Sequence, residues 1–317
     1  MVTSKALTLV SEISLLLGRY EGLHAPIPQP QLRKENRVRT IQGSLAIEGN
    51  TLDLDQVTAI FSNQRVLGPK RDILEVQNAI RLYDSLQKLT LYRAGDFLEA
   101  HRILLSGLSE EAGRYRKGAV GVLKGSKVSH IAPSAKRVPE LMDELLRYWK
   151  GERELSPLIL ACVIHYEIEF IHPFSDGNGR MGRFSQSWIL AKFHRAFEYL
   201  PIESVIKERQ AAYYKALGDS DNLGECTPFV EFSLAAIRDA LTAFLYKLKP
   251  GAETSDTRLE LAQAEFDAKS FTRKDYIRLL KRISSATASR DLARGVSKGL
   301  LRQTGTKRTT VYRFIRQ

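Results

Sequence analysis

Cysteine is scarce in this sequence, and long apolar runs are absent. The 317 residues include only Cys162 and Cys226, which are too few for a disulfide framework and lack the spacing of metal ligands. No apolar run is long enough to cross a bilayer, and the N-terminal stretch MVTSKALTLVSEISLLL lacks a basic head with a small-residue cleavage site. We therefore expect a cytoplasmic protein with no membrane partner, whose first residues form an amphipathic helix.

Acidic residues are scarce near the C-terminus. Residues 270–317 contain 13 Lys and Arg against Asp275 and Asp291 only, so this stretch carries +11 of the net charge of +12. Localised basic charge is typical of a segment that meets nucleic-acid phosphates. The sequence therefore predicts a basic C-terminal unit that contacts DNA, with a dimerisation or target-docking module as the alternative.

The apolar spacing indicates a mainly α-helical protein of two or three domains. Strands are indicated at Ala119 to Leu123 and Lys127 to Ile131, which flank a Lys-Gly-Ser turn and predict a hairpin. A helix is predicted from Gln42 to Gly49, where glycine is a common helix stop. The stretch Lys249 to Asp256 is rich in turn-forming residues and reads as a linker.

The segment from His172 to Arg183, HPFSDGNGRMGR, concentrates side chains that can do chemistry. Residues 157–170 before it predict a mostly buried helix, and residues 183–197 after it have apolar residues at helical spacing. Glycines ahead of a helix N-terminus offer unpaired backbone N–H groups and a positive dipole end to an anion. The segment therefore predicts a helix–loop–helix crossing that binds phosphate.

Two residue pairs in this segment suit a polyphosphate. Gly177 and Gly179 let the backbone approach a ligand without a Cβ in the way. Arg180 and Arg183 are three residues apart, so on a helix they share a face and can grip one ligand together.

The acidic residue and the histidine add the remaining chemistry. Asp176 is a hard oxygen ligand, suited to Mg²⁺ bound to phosphates. His172 has an ordinary pKa of about 6.5 and can take a proton from an incoming hydroxyl near neutral pH. The combination indicates nucleotide-dependent transfer onto a hydroxyl.

A dinucleotide-binding loop is the alternative for this segment, because Gly177 to Gly182 also matches G-x-G-x-x-G. That fingerprint needs a preceding strand within a βαβ unit, whereas the preceding residues predict a helix. The alternative is therefore disfavoured.

HPFSDGNGR resembles the signature of the Fic family, His-x-Phe-x-Asp/Glu-Gly-Asn-Gly-Arg-x-x-Arg, at every specified position. The resemblance implies a helical core with a small β-hairpin flap. It also implies transfer of AMP from ATP, with Mg²⁺, to a Ser, Thr or Tyr hydroxyl of a target protein or of the enzyme itself. His172 would be the base and Asp176 the metal ligand.

The same resemblance implies a nucleotide-binding set. Its members lie in the motif and in the helix predicted after it. They are Gly177, Asn178, Gly179, Arg180, Met181, Gly182 and Arg183, with Tyr213 or Tyr214 against the adenine. Arg180 and Arg183 would hold the β- and γ-phosphates.

Ser44-Leu-Ala-Ile-Glu48-Gly-Asn50 resembles the inhibitory motif of the family, Ser/Thr-x-x-x-Glu-Gly/Asn. A Glu48 carboxylate paired with Arg183 would occupy the guanidinium that should hold the γ-phosphate, so ATP could not adopt a productive pose. Ser44, Glu48 and Asn50 are therefore expected to form an inhibitory contact. Glu75-x-x-Asn78-Ala also resembles a pattern seen in Fic proteins after this segment.

The C-terminal residues resemble a winged helix-turn-helix. A helix is predicted over 272–280 and a second, capped helix within 284–301, followed by two short strands around Gly305. In such a domain the helix near Ser289 and Arg290 would enter a DNA groove. Lys307 and Arg308 on the wing would touch phosphates.

The implied organisation has four parts. Residues 1–95 are an N-terminal helical region with the inhibitory helix at about 40–50, 96–248 the Fic catalytic domain, 249–269 a linker and connecting helix, and 270–317 the winged helix-turn-helix.

Two alternative functions remain open: a DNA-binding transcriptional regulator with a nucleotide-sensing Fic core, and a de-AMPylase or other phosphate-group transferase. The target protein is not identified by the sequence, and a homodimer stays open.

Overall fold

The computed structural model describes residues 2–22, 30–119, 121–124, 127–248, 255–267, 269–280, 283–305 and 310–315, with the backbone alone over 121–124 and 127–131 and at 257, 261 and 264. The chain divides into two compact units, Met1–Leu248 and Lys249–Gln317. Each unit has its own hydrophobic core.

Helices dominate the N-terminal unit, which confirms the mainly α fold predicted from the sequence. In chain order they are α1 (Ser4–Gly22), α2 (Pro30–Ile47), α3 (Leu54–Phe61), α4 (Lys70–Asp84), α5 (Ala94–Leu104), α6 (Val138–Gly151), α7 (Pro157–Ile171), α8 (Asn178–Phe193), α9 (Ile202–Glu208), α10 (Gln210–Leu223) and α11 (Thr227–Leu248).

Helices α7 and α8 pack along each other at the centre of this unit. Most residues of α7 are apolar and buried, as expected for a helix surrounded by others rather than lying on the surface. Ser156 caps its N-terminus and Pro157 occupies the first turn, where its missing N–H has no helical partner to lose.

Helix α8 begins inside the HPFSDGNGRMGR segment, at Asn178. Gly177 adopts a left-handed conformation with φ of 86°, which lets the chain turn directly into a helix at Asn178. A Cβ on Gly177 would lie 2.8 Å from Leu105 Cδ2, so a larger residue would also collide with the core. Arg180 and Arg183 are therefore inside the helix, one turn apart.

The predicted hairpin is present between α5 and α6. Strands β1 (Gly121–Lys124) and β2 (Lys127–Ile131) pair antiparallel, with Gly121 opposite Ile131 and Lys124 opposite Lys127. The pairing shifts register between Val122 and Leu123.

The C-terminal unit consists of three helices and a second hairpin among its described residues. They are α12 (Ser255–Phe266), α13 (Arg273–Leu280), α14 (Ser285–Ser297), β3 (Leu301–Thr304) and β4 (Val311–Phe314), with an isolated bridge from Phe271 to Tyr312.

Helix α12 lies within the stretch that the sequence assigned to a linker and connecting helix. Its Leu259 and Ala262 are buried in the C-terminal core, and Arg258 donates to both carboxylate oxygens of the buried Asp291 on α14, at 2.5 and 2.7 Å. The helix therefore belongs to this unit rather than to a connection.

No helix in the described part of the chain combines the length and apolarity that a bilayer crossing requires.

Candidate active site

The candidate catalytic loop begins at His172, which ends α7 in a left-handed conformation with φ of 51°. A non-glycine residue in this region costs free energy, and such residues cluster at functional sites. Phe174 follows and is fully buried, with its ring stacked 3.6 Å from the His101 ring centroid. The buried ring turns the loop back into the core and leaves His172 partly exposed.

One nitrogen of His172 is held by the backbone. Nδ1 lies 3.3 Å from the carbonyl oxygen of Glu169, which can only accept, so Nδ1 carries the proton in this contact. In the neutral imidazole Nε2 is then the basic nitrogen.

Arg116 fixes the backbone beside His172. It is buried, and its Nε donates to the His172 carbonyl oxygen at 2.7 Å. Its two terminal nitrogens donate to the carbonyl oxygens of Gly118 and Pro133, at 2.9 and 2.5 Å, on either side of the hairpin. One guanidinium therefore ties the base of the hairpin to the catalytic loop. Sequence reasoning missed Arg116, because nothing in its local pattern points to His172.

The other half of the loop is braced by Asn178 and His101. Asn178 Oδ1 accepts from the backbone N–H of Phe174 and its Nδ2 donates to the Phe174 carbonyl oxygen, both at 2.8 Å. His101 Nδ1 accepts from Gly113, so its Nε2 carries the proton and donates to the Asp176 carbonyl oxygen at 3.0 Å. Burial lowers the pKa of His101 to about 4, which keeps the ring neutral.

Asp176 and Arg180 face each other across the start of α8. Arg180 Nη2 donates to Asp176 Oδ1 at 2.6 Å, and Arg71 Nη2 lies 3.4 Å from Oδ2. Burial would raise the pKa of Asp176, but Arg180, Arg71 and the Gly177 N–H lower it, and the balance is below the ordinary value. The carboxylate is therefore ionised at neutral pH.

The Ser44–Asn50 segment reaches this arginine through Glu75. The buried Glu75 carboxylate is 3.4 Å from Arg180 Nη1 and accepts from Asn50 Nδ2 at 2.8 Å. Asn50 Nδ2 also donates to the Asp72 carbonyl oxygen at 3.1 Å, which ties the end of the Ser44–Asn50 segment to α4. The Glu75-x-x-Asn78 pattern was the sequence signal for this residue.

Arg183 is almost completely buried, with 1% of its surface exposed, and contacts Ser44 and Glu48 of the same segment. Its Nη2 donates to Glu48 Oε1 at 2.6 Å and to the Ser44 carbonyl oxygen at 3.1 Å, and its Nε donates to Ser44 Oγ at 3.1 Å. The contact with Glu48 uses a single nitrogen and a single oxygen rather than two parallel bonds. Within the described residues, Nη1 of Arg183 has no hydrogen-bond partner.

Glu169, which sequence reasoning also missed, lies beside this contact. A Cβ on Gly179 would overlap Glu48 Oε1 and lie 3.0 Å from Arg183 Nη1 and 3.1 Å from Glu169 Oε1. Two carboxylates and the guanidinium therefore meet at a position that only glycine can occupy. Burial, followed by the Glu48 charge, raises the pKa of Glu169 to about 7.

A buried hydrogen-bonded chain continues from Glu169 toward α11. Tyr213 Oη is 2.8 Å from Glu169 Oε1 and 3.2 Å from His165 Nε2. His165 Nδ1 is 2.9 Å from Gln186 Oε1, and Gln186 Nε2 donates to Ser233 Oγ at 2.6 Å. Burial lowers the pKa of His165 to about 3, so this imidazole is neutral.

The structure separates the expected nucleotide-binding residues into two groups. Met181 is fully buried in the core and Gly182 lies against the His165 ring, so both serve helix packing. Tyr213 is fully buried, which leaves no face for an adenine. Tyr214 is half-buried and its hydroxyl donates to the Ile47 carbonyl oxygen at 3.4 Å, at the end of α2. The others, including the side chains of Arg180 and Arg183, lie around the α8 N-terminus.

The predicted DNA-contacting residues lie in the C-terminal unit. Arg290 is exposed on α14, and Ser289 Oγ accepts from Arg273 Nη1 at 2.9 Å and donates to the Ser285 carbonyl oxygen. Lys307 and Arg308 lie outside the described residues.

Comparison with known proteins assigns the chain to a family. The model of the Fic/DOC family matches residues 91–190. A crystal structure of a Fic family protein from Desulfovibrio desulfuricans G20 superposes with a TM-score of 0.74 at 38% identity, covering 100% of this chain and 98% of that one. The chain therefore belongs to the Fic family.

Curated relatives carry the name protein adenylyltransferase. The protein adenylyltransferase Fic of Nematostella vectensis is 31% identical over 69% of this chain and 51% of its own length. The protein adenylyltransferase fic-1 of Caenorhabditis elegans is 28% identical over 75% of this chain and 48% of its own length. The chain thus spans about half the length of these relatives.

Proposed function

We propose that the protein is an autoinhibited protein adenylyltransferase, which moves AMP from ATP to a Ser, Thr or Tyr hydroxyl of a target protein. One observation carries the proposal: a strained, partly exposed histidine adjoins a helix N-terminus that presents two buried arginines. This arrangement joins a base to an anion site. The names of the curated relatives support the same reaction.

The reaction assigns His172 to the acceptor hydroxyl. Its Nε2 takes the proton as the hydroxyl oxygen bonds to the α-phosphorus, and the bond from that phosphorus to the bridging oxygen of the β-phosphate breaks. Pyrophosphate leaves with the electrons of that bond. The Nδ1 contact with the Glu169 carbonyl oxygen and the Arg116 clamp keep the imidazole oriented for this transfer.

The phosphates would lie at the start of α8. The first N–H groups of a helix have no intrahelical partners, and the helix dipole places partial positive charge there. Arg180 would hold the β-phosphate and Arg183 the γ-phosphate once Glu48 withdraws. The unpartnered Nη1 of Arg183 gives the γ-phosphate a donor that is already desolvated.

Asp176 fits the role of a magnesium ligand. Its carboxylate is ionised, half-exposed and next to the proposed phosphate site. Among the described residues no cluster of three or more His, Cys, Asp or Glu side chains is placed to hold a metal, so most ligands would come from phosphates and water. When bound, Mg²⁺ would neutralise phosphate charge, and Arg180 and Arg71 would have to release Asp176 to it.

Inhibition by Glu48 follows from the same geometry. When Arg183 is bound by Glu48 and Ser44, it cannot hold the γ-phosphate of ATP, and the α-phosphorus does not line up with the hydroxyl. Anchors at Ser44 and Asn50 hold Glu48 at this position from both sides.

The target protein would bind at the hairpin. A two-stranded hairpin has free edges, and an extended segment can add a strand to such an edge through main-chain hydrogen bonds. Arg116 fixes the start and end of the hairpin to the His172 backbone, so a segment aligned there would present its hydroxyl near the His172 side chain.

A protein with only two cysteines is suited to the reducing cytoplasm, where ATP is also available.

Label transfer tests the proposed reaction. Incubation with Mg²⁺ and ATP labelled at the α-phosphate should label the protein itself or a target, whereas ATP labelled at the γ-phosphate should not. His172→Ala should abolish transfer while leaving nucleotide binding nearly intact, because the base acts on the acceptor. Equal labelling of parent and variant would contradict the assignment. Competition with other nucleotides, and release of AMP from labelled protein, separate the reaction from other phosphate-group transfers.

A second function, DNA binding, is supported by the C-terminal unit. Three helices followed by a hairpin is the element order of a winged helix-turn-helix, and residues 270–317 carry +11 of the net charge. The exposed Arg290 on α14 is suited to base or phosphate contact. Retention of the full chain on duplex DNA should fall steeply with salt, and Arg290→Gln should weaken it. No retention at low salt would favour a protein-docking module.

A further inference from the structure

A pocket of about 590 Å³ lies far from the catalytic loop, between the C-terminal turns of α6 and α8 and the segment before α5. Helix α8 begins at the phosphate site and ends at this pocket. With a rise of about 1.5 Å per residue, the pocket-lining stretch Trp188 to Phe193 lies roughly 15–22 Å from the first residue of the helix. The pocket is therefore not part of the proposed active site.

The floor of the pocket is aromatic. Tyr92, Trp149 and Trp188 meet edge to face, with ring centroids 5.6 to 6.4 Å apart, and Leu155 and Leu160 extend the apolar surface. Such a rigid set of rings offers contact area for one large apolar side chain. Phe193, 42% exposed, forms an apolar edge at the mouth.

The rim is basic. Lys150, Arg153 and Lys192 line the pocket, and none of them is ion-paired with a carboxylate in the described part of the chain. Lys192 donates to Gln87 Oε1 at 2.7 Å and lies over the Trp188 ring. The only acid of the rim, Glu152, already accepts from the backbone N–H groups of Glu154 and Leu155. The rim thus favours an anionic partner.

We propose that this pocket binds an acidic peptide segment, which inserts one large apolar side chain against the aromatic floor while its carboxylates meet the three cations. The pocket is wide open to solvent, whereas sites for small molecules enclose most of the ligand surface. An open pocket therefore suits one side chain of a longer chain. A target anchored here would raise the effective concentration of its hydroxyl at His172. That use rests on the proposed function, but the binding itself does not.

The chain carries its own reporter for this binding. Its only two tryptophans, Trp149 and Trp188, both lie at the pocket, so tryptophan emission responds to an occupant without an added label. The probe is an end-blocked peptide of aspartates around a central phenylalanine, added to the full chain without ATP. We expect a saturable emission shift that weakens with salt. The same peptide with alanine at the centre should bind about tenfold more weakly.

Variants locate the binding. The double variant Arg153→Gln/Lys192→Gln should bind the peptide about tenfold or more weakly than the parent protein. Lys215→Gln with Arg147→Gln, two exposed cations that line no part of the pocket, should leave it unchanged. The proposal is overturned if no emission shift appears at millimolar peptide, or if the alanine peptide or the pocket variant binds equally well. An equal shift with ATP or inorganic phosphate would make this a small-anion site, and a dimer in sedimentation that Phe193→Ser abolishes would make it a self-association surface.

Discussion

Arg183 is buried and Glu48 is not: the guanidinium is 1% exposed, whereas a third of the Glu48 side chain is open to solvent, and the two meet at 2.6 Å. The asymmetry assigns different roles to the partners. Arg183 is fixed by Ser44 and by the packing of α8, so the exposed carboxylate is the partner that can leave. Withdrawal of Glu48 would open a prepared anion site without rebuilding it.

Glu48→Gly should therefore raise AMP transfer strongly. Freeing one charge-assisted contact of a buried arginine is worth about ten- to a hundredfold in rate. ATP affinity should change little, because only the contact of Arg183 with the γ-phosphate is altered. Auto-modification with labelled ATP measures the effect, and Glu35→Gly, at an exposed position of α2, the helix that ends just before Glu48, is the control. Arg183→Ala should lose inhibition and catalysis together, so adding it to Glu48→Gly should remove the gain.

Asn50→Ala should activate the enzyme partially. The substitution removes the hydrogen bonds to Glu75 and to the Asp72 carbonyl oxygen that anchor the end of the inhibitory segment. Each such bond contributes about 0.5–1.5 kcal/mol, or more where the acceptor is charged, so we expect a several-fold rise, smaller than that of Glu48→Gly. The same change added to Glu48→Gly should give no further increase in transfer rate. A further increase would mean that Asn50 acts by another route.

Inhibition should weaken as pH rises through about 7, where Glu169 ionises. Below that pH the neutral Glu169 tolerates Glu48 nearby. Above it, a second negative charge repels Glu48 and competes for Arg183, while the surrounding His165 and Tyr213 stay neutral. The ratio of parent to Glu48→Gly activity should rise between pH 6 and pH 8, roughly one unit either side of that pKa. Dividing by Glu48→Gly activity removes the pH dependence that both proteins share.

Glu169→Gln is the control for this pH dependence. The amide keeps the shape and cannot ionise, so the activity ratio in this background should be flat with pH. A sloping ratio in Glu169→Gln would mean that another group titrates.

Stability has its own pH signature. The pKa of Glu169 in the folded protein is raised above its ordinary value. The contribution of Glu169 to the stability of the fold is therefore fully present below that ordinary value and is lost as pH rises through about 7. Thermal unfolding should therefore show that the parent protein loses more stability than the Glu169→Gln protein as pH rises from that ordinary value to about 7.

Arg116→Lys should lower both transfer and stability. A lysine cannot reproduce the fork that holds the carbonyl oxygens of His172, Gly118 and Pro133, and a lost contact of this kind costs about 1.5–3 kcal/mol. In the Glu48→Gly background we expect roughly a tenfold or greater loss of transfer rate. Arg114→Lys, at an exposed neighbouring position, should have little effect on either the melting temperature or the rate.

Most residues of the candidate site could be predicted from the sequence because they are contiguous in the chain. His172 to Arg183 form one loop and one helical turn, and Ser44 to Asn50 form one helix end, so spacing relates the side chains within each segment. The pairing between the two segments was implied by the resemblance to the Fic family. Partners from distant segments had no such signal. Arg116 meets His172 only because the loop after α5 lies against the end of α7, and Glu169 meets Gly179 only because α7 packs on α8.

Tyr213 illustrates a further limit. Adjacent tyrosines on a helix differ in direction by about 100°, so spacing predicts that one is buried and one is not, but not which. The structure buries Tyr213, because its hydroxyl finds Glu169 and His165 inside the core. Burial depended on polar partners from α7, which no local pattern reveals.

Intact-mass spectrometry tests the central claim most directly. The Glu48→Gly protein, incubated with Mg²⁺ and ATP, should gain mass in steps of one AMP group, whereas the Glu48→Gly/His172→Ala protein should keep its original mass. Parent protein should gain little at pH 6 and more at pH 8. A Glu48→Gly protein that stays unmodified, gains phosphate steps instead, or gains AMP equally without His172 would contradict an adenylyltransferase governed by Glu48 and His172.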